Sequence, residues 1–252
     1  MILTIAGTVN GAAPAAGPTP TFTLALNTYS FFENGLVGTN GIQLSHAPTQ
    51  TDSYNSKTNL SGTRGDVLSN GTITLDNNAV VNGNATATAF SLSNNAVITG
   101  QQTVATQPVT FIPVAIPLGL TNLGALALDN GASQTLTAGS YQLDSLSVNN
   151  NSRLVIDNTT GPVTLYVTGG VLVTNGGMIT TLDTHPEKFA LYVASTANVQ
   201  IDNGGTYYGV LYAPQSLVSL NNGGNFFGSF IGNSLNAING AQVHYDTALR
   251  GE

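Results

Sequence analysis

The chain has 252 residues with only 7% charged, five Lys/Arg against twelve Asp/Glu for a net charge of −7, and no cysteine. So few basic residues, nowhere clustered, exclude a nucleic-acid partner, whose phosphates require a Lys/Arg patch. The missing cysteines exclude a disulfide framework and thiolate metal sites, while 41% hydrophobic residues supply a sizeable core.

At the start, MILTIAG (1–7) is apolar and β-prone, followed by the Gly/Ala/Pro-rich VNGAAPAAGPTP (9–20). Residues 1–20 are therefore expected to form an extended arm and linker, and residues 21–252 the folded domain. Ile2, Leu3 and Ile5 pair either with the edge of the chain's own domain or with a neighbouring subunit by strand donation. The apolar run lacks a basic flank and is too short for a signal peptide or a membrane span. An exported protein whose leader is absent from this chain is the expectation. FTLALNTYSFFENGL (22–36) has mixed periodicity and is predicted as a short helix capping the first coil.

An internal repeat governs the rest. Asn-rich octets begin at residues 76, 93, 149, 174, 202, 221 and 238, with neighbouring copies 17 to 19 residues apart where nothing is inserted. Six of the seven follow an apolar–polar–apolar triplet such as Ile73-Thr74-Leu75 or Val218-Ser219-Leu220, and the octet at 174 follows Val171-Leu172-Val173. Period-two alternation marks a strand with one buried face, and the Asn/Gly pair turns the chain in the left-handed conformation. The sixth octet column (Val81, Ile98, Leu154, Ile179, Tyr207, Phe226, Val243) is apolar and points inward. The seventh (Asn82, Thr99, Val155, Thr180, Tyr208, Phe227, His244) is mixed and points outward. Tyr208, Phe227 and His244 are thus candidate contact residues.

A unit this short has no room for a helix and suits one coil of a parallel β-solenoid. Seven to nine coils stacked about 4.8 Å apart make a rod of about 35–45 Å. The fold predicted is all-β, a right-handed parallel β-helix by the general handedness of parallel crossovers. VTLYV (163–167) and ALYVA (190–194) read as further strands. Residues 101–137 break the repeat; Pro108, Pro113 and Pro117 cannot occupy central strands, so this segment is expected to leave the solenoid and pack along its side. Residues 181–189, with Glu187 and Lys188 adjacent, are expected to form an exposed excursion.

DSYNS (52–56), AGSYQLDSLSV (138–148), GPVTLYVTGG (161–170), YYGVLYAPQSLVSL (207–220) and HYDTALR (244–250) together resemble a bacterial β-helical domain of uncharacterised function. That domain is found C-terminal to PilX-type, type IV pilin-like segments in surface and pilus-assembly proteins. The resemblance covers about residues 40–250 and implies a parallel β-helix at the cell envelope. It carries no catalytic residues to transfer, and this chain departs from it in lacking the apolar pilin-like N-terminal helix.

Little chemistry is visible. Asp76 and Asp202 open different octets, and Asp144 and Asp157 bracket one coil, but Asp at such turns ordinarily bonds its own backbone. His46, His185 and His244 are scattered, with no zinc spacing. Thr-x-Thr occurs at 72–74 and 86–88 without a continuous file, which argues against an ice-binding threonine ladder. No catalytic, cofactor or metal residues are assigned and no cofactor is expected. The expectation is a non-enzymatic, extracellular or cell-surface structural protein. It assembles with copies of itself into a filament or acts as an adhesin, by strand donation through Ile2, Leu3 and Ile5. The alternative is a β-helix that binds or cleaves surface carbohydrate.

Overall fold

Two-residue Asn/Gly turns explain how so short a repeat closes into a coil. Asn77, Asn94, Asn150, Asn175, Asn222 and Asn239 all stand at positive φ between 49° and 59°, a conformation that Asn adopts at low cost. The computed structural model describes residues 2–5, 22–25, 32–202 and 205–251. Met1–Phe31 and Phe32–Glu252 are two separate compact units. In the first, Ile2–Ile5 pairs antiparallel with Phe22–Ala25, with Ile2 opposite Ala25. The segment expected to begin a capping helix at residue 22 therefore begins as a strand, and the linker expected at 9–20 lies outside the described residues.

The second unit is a parallel β-solenoid. Along its axis the rungs are residues 85–98, 67–81, 36–55, 229–246, 210–228, 189–208, 163–181, 139–157 and 121–137. Axial order is not chain order. The chain enters at the third rung, winds to one end at residue 104, crosses the whole length through 105–120, and winds back from 121. Its last rung then lies against its first: Leu235 pairs with Ile42, Ala237 with Leu44, and Val243 with Thr51. This seam joins two blocks, 36–104 and 121–246.

The excursion is thus shorter than the sequence suggested. Residues 121–137 are a full rung: Ala125–Leu128 pairs with Ser145–Val148, and Ser133–Thr137 with Arg153–Asp157. The prolines belong to 105–120 alone, which does lie along the solenoid's side. Residues 182–188 form a loop with a short 3-10 turn, Pro186–Lys188. There Lys188 pairs not with adjacent Glu187 but with Asp183 at 2.5 Å, and Glu187 reaches Lys57 at 3.7 Å. Burial opposes the Asp183 charge, yet hydrogen bonds from Lys188 and His185 hold its carboxyl down at about 2.

The inward columns build one core running through all nine rungs. All seven sixth-column residues are buried, and the seventh column is half-buried or exposed, as the alternation requires. The aromatic residues concentrate where the blocks meet: Tyr207 lies between Phe189 and Phe230, 5.7 Å from each, and Phe226 sets its edge on Phe230. The Tyr207 hydroxyl is fully buried there without a hydrogen-bond partner. Burial raises the phenol's pKa well above its ordinary value.

Two stability changes of opposite sign are expected. Tyr207→Phe removes the unpaired hydroxyl and should raise stability by about 1 kcal/mol. Phe226→Ala opens a cavity in the same cluster and should lower it by about 3–5 kcal/mol. Urea titration reads both, and a destabilised Tyr207→Phe would show that the hydroxyl has a partner.

Candidate functional site

Each rung has three strands, so the solenoid has three side faces, and the three differ in what occupies them. On the first, the outward residues Val37, Ile231 and Tyr212 are buried because the crossover 105–120 lies over them, with Phe111 and Val114 packed against this cluster. Tyr212 Oη donates to the Ile112 carbonyl at 2.7 Å. Asn70 donates to the Val109 carbonyl and accepts from the Val109 amide, both at 2.8 Å. This face is filled by the chain itself.

The second face carries the seventh column. Parallel register places Tyr208, Phe227 and His244 in file. Their rings stack face to face at 4.6 and 4.4 Å, tilted by 19° and 25°. Tyr54 sets its edge on Phe227 at 5.1 Å. His244 Nδ1 donates to Asp52 Oδ1 at 2.5 Å across the seam. The three predicted contact residues are thus brought together, but their ring faces are turned to one another along the axis. Stacking of a ligand on an aromatic needs an open π-face, and both faces of Phe227 are covered by Tyr208 and His244. The file is a staple binding rungs on both sides of the seam.

The C-terminus adds to it. Tyr245 Oη donates to the Phe32 carbonyl at 2.9 Å, the Arg250 guanidinium lies 5.2 Å over the Tyr245 ring, and it reaches Asp66 at 3.1 Å. HYDTALR is accordingly a terminal lock. Ile2, Leu3 and Ile5 belong to the separate hairpin.

The third face is the open one. Its central outward file runs Ser91, Thr74, Gln43, Asn236, Ser219, Gln200, Leu172, Ser147 and Ala127, without a single charge. In the adjacent file, Ala89, Thr72, Gly41, Ser234 and Leu217 follow one another. Gly41 leaves a gap there, a trough of about 290 Å³ lined by Asn40, Gln43, Thr72, Thr74, Ser234 and Asn236. The backbone does not demand this glycine. Its φ is not in the left-handed region, and a Cβ added to it would meet only the Thr72 carbonyl at 3.6 Å, an ordinary contact. Among the described residues, no hydrogen bond within the chain engages the side-chain amides of Asn40, Gln43 and Asn236. Residues 36–45 carry no Asn-rich octet after their alternating triplet and so do not show the repeat. The alternation Ile42-Gln43-Leu44 was the available signal.

The carboxylates considered for catalysis are otherwise engaged. Asp76 accepts from Ser93 and Asn94 on the next rung and from the Asn77 amide. Those bonds, the Ser93 hydroxyl's foremost, lower its pKa. Asp202 accepts from Asn221 at 2.6 Å and also from Gln200. Asp157 bonds Thr159 in a local turn, and Asp144 stands apart from it at another corner of the same rung. His46 and His185 bond neighbours in their own loops, Ser45 and Asp183. Among the described residues no His/Asp/Glu cluster of metal-binding geometry occurs, and no helix is long and apolar enough to cross a membrane.

The aromatic staple predicts a measurable coupling. His244→Ala should cost about 1–2 kcal/mol through loss of one stacked pair and of a hydrogen bond to a carboxylate. A double-mutant cycle of Phe227→Ala with His244→Ala, read by urea titration, should return a coupling of about 0.5–1.5 kcal/mol. Strict additivity would mean the stack contributes nothing.

Residues 144–252 match a family described as a domain of unknown function, DUF7305. No curated protein matches the chain. Among solved structures, the DUF3494 domain of ice-binding protein 1 of Shewanella frigidimarina is similar at 11% identity and TM-score 0.52, over 86% of this chain and 96% of that one. A glycosylated ice-binding protein of an Arctic yeast (15% identity, TM-score 0.48, 84% and 90% covered) is also similar. So is one from the Antarctic ascomycete Antarctomyces psychrotrophicus (13%, 0.46, 86% and 96%). At such identities, the likeness to the Shewanella domain speaks for the fold and for nothing finer.

Proposed function

We propose that this chain is a non-enzymatic, extracellular binding protein whose third face, uncharged along its central file, docks on an extended neutral polymer rich in hydroxyls, a surface polysaccharide. The observation that carries the reading is the Gly41 trough with its three unengaged amides. An amide both donates and accepts, so it complements a hydroxyl of either orientation, and a repeat of about 4.8 Å between rungs lets a long ligand be met several times over. A central file without charge fits a ligand without charge, while the carboxylates of the flanking file, Asp76 and Asp202, are held by Ser93, Asn94 and Asn221. Extracellular residence accords with the low-charge Asn/Thr/Ser/Gly composition.

Ice binding, the property in the names of the similar structures, calls for an even surface. Here Thr74 is followed by Gln43 and Asn236, and Ser219 by Gln200 and Leu172, so side-chain reach changes at nearly every rung. A filament or pilus subunit built by donation of strand 2–5 would first have to open that strand's pairing with 22–25.

The test is depletion of the purified protein from solution by insoluble neutral polysaccharides, with retention in slowly growing ice as a parallel arm. Binding to at least one polysaccharide is expected. Gly41→Leu, which fills the trough, and Gln43→Ala/Asn236→Ala, which removes its amides, should each weaken that binding tenfold or more. Depletion unaffected by either variant, or retention in ice without any polysaccharide binding, would overturn the reading.

A further inference from the structure

The two blocks of the solenoid are held at the seam without a covalent neighbour. Every other rung follows its axial neighbour in the chain, so its pairing forms within one winding. At the seam the partners are about 190 residues apart: Gln50 Nε2 donates to Gln242 Oε1 at 2.6 Å with a separation of 192, and Ser229 Oγ to the Asn34 carbonyl at 2.6 Å with a separation of 195. The seam is a complete parallel edge-to-edge interface, with backbone register from Phe230–Leu36 to Asp246–Tyr54, the Asp52–His244 bond and the aromatic staple. Nothing in that interface requires both edges to come from one molecule.

The geometry points to a second copy of this chain as the alternative partner of each seam edge: the block 36–104 of one molecule pairs with the block 121–246 of another, by exchange across the 105–120 crossover. The contacts formed in the exchanged state are the same, so the two states differ only in the crossover. Two reciprocal exchanges close a dimer, and serial exchange builds an open chain of molecules. This differs from donation of strand 2–5 and needs no free edge beyond those the fold already pairs.

The hinge can be placed. Asn70 holds Val109 on the block 36–104, while Tyr212 holds Ile112 on the block 121–246. Thr110 and Phe111 therefore lie between the anchor points, one on each block. Exchange opens the crossover there and leaves each anchor pair intact. What favours the closed monomer is effective concentration: a short tether presents the internal partner at roughly millimolar level. Exchange therefore becomes appreciable only when chains fold at comparable density.

The absence of native cysteine allows a clean test on the full chain. Gln43 and Asn236 are outward partners across the seam, and adjacent strands about 4.8 Å apart lie within disulfide range. The Gln43→Cys/Asn236→Cys variant is unfolded with reductant, refolded at about 0.01 mM and at about 1 mM, oxidised, and run on a non-reducing denaturing gel. Internally bonded monomer is expected at the low concentration. Disulfide-linked dimers and larger species are expected at the high one, at least tenfold enriched and absent from either single variant. Internally bonded monomer alone at both concentrations, or equal cross-linking of a single variant, would overturn the proposal. Should the double variant fail to fold, the unmodified chain carrying two different tags serves. Co-capture is expected when the tagged chains are mixed before concentrated refolding and not when mixed afterwards, and no difference between the two would equally overturn it.

Discussion

The pairing of residues 36–55 with 229–246 is the constraint on which the solenoid depends. A parallel sheet edge leaves a row of unpaired N–H and C=O groups, and the seam is where two such edges would otherwise lie in mid-rod. Closing a loop of about 190 residues instead of about 20 costs only about 2 kcal/mol more, because closure entropy grows with the logarithm of length. Backbone pairing along three faces offsets that readily.

The placement of side chains follows from this. Bulky aromatics gather inside at the rungs next to the seam, and the outward stack of Tyr208, Phe227 and His244 ends on Asp52 of the other block. The C-terminal lock ties Tyr245 and Arg250 to Phe32 and Asp66, again from one block to the other. Because the chain enters and leaves the solenoid at adjacent rungs, its terminal segments reinforce the joint rather than the ends. Two of the three faces are thereby committed to holding the blocks together. Among the described residues, the trough beside Gly41 and its amides is left without a structural task.

How much of this was legible in sequence depends on which residue sat in which column. The octets exposed seven coils because their sixth column is apolar. The rung 121–137 went unseen because Gln134 occupies that column, even though Leu126 and Leu128 alternate correctly before its Asn130-Gly131 turn. The rung 36–55 went unseen because its inward residues on the aromatic face are Thr51 and Ser53, both buried. Thr51 Oγ1 is satisfied instead by the Gly65 carbonyl at 2.7 Å. Tyr208, Phe227 and His244 could be assigned outward, but the mutual stacking could not be foreseen, because it depends on which rungs are neighbours. Axial order is absent from a repeat pattern: identical units stack equally well in several orders, and only the length of 105–120 and the seam register select this one.

The discontinuous order also determines which segments lie at the ends of the solenoid. In a solenoid wound in simple chain order, the termini would lie at the two ends. Here both ends are internal segments, 89–104 and 121–137, and the crossover must leave one and arrive at the other. Its composition therefore falls where open edges lie, with Pro108 a few residues beyond the last strand at one end and Pro117 just before the first strand at the other. Proline cannot donate to a ladder, and the strands beside it are short, Gln102–Val104 and Thr121–Asn122, so on that face a further strand finds few consecutive groups to pair with. The same segment that lets the chain wind in two blocks thus also blunts one face's edge at each end of the solenoid, whereas, among the described residues, Ala125–Leu128 and Ser133–Thr137 pair on one side only, and the long edges at the seam are paired with each other.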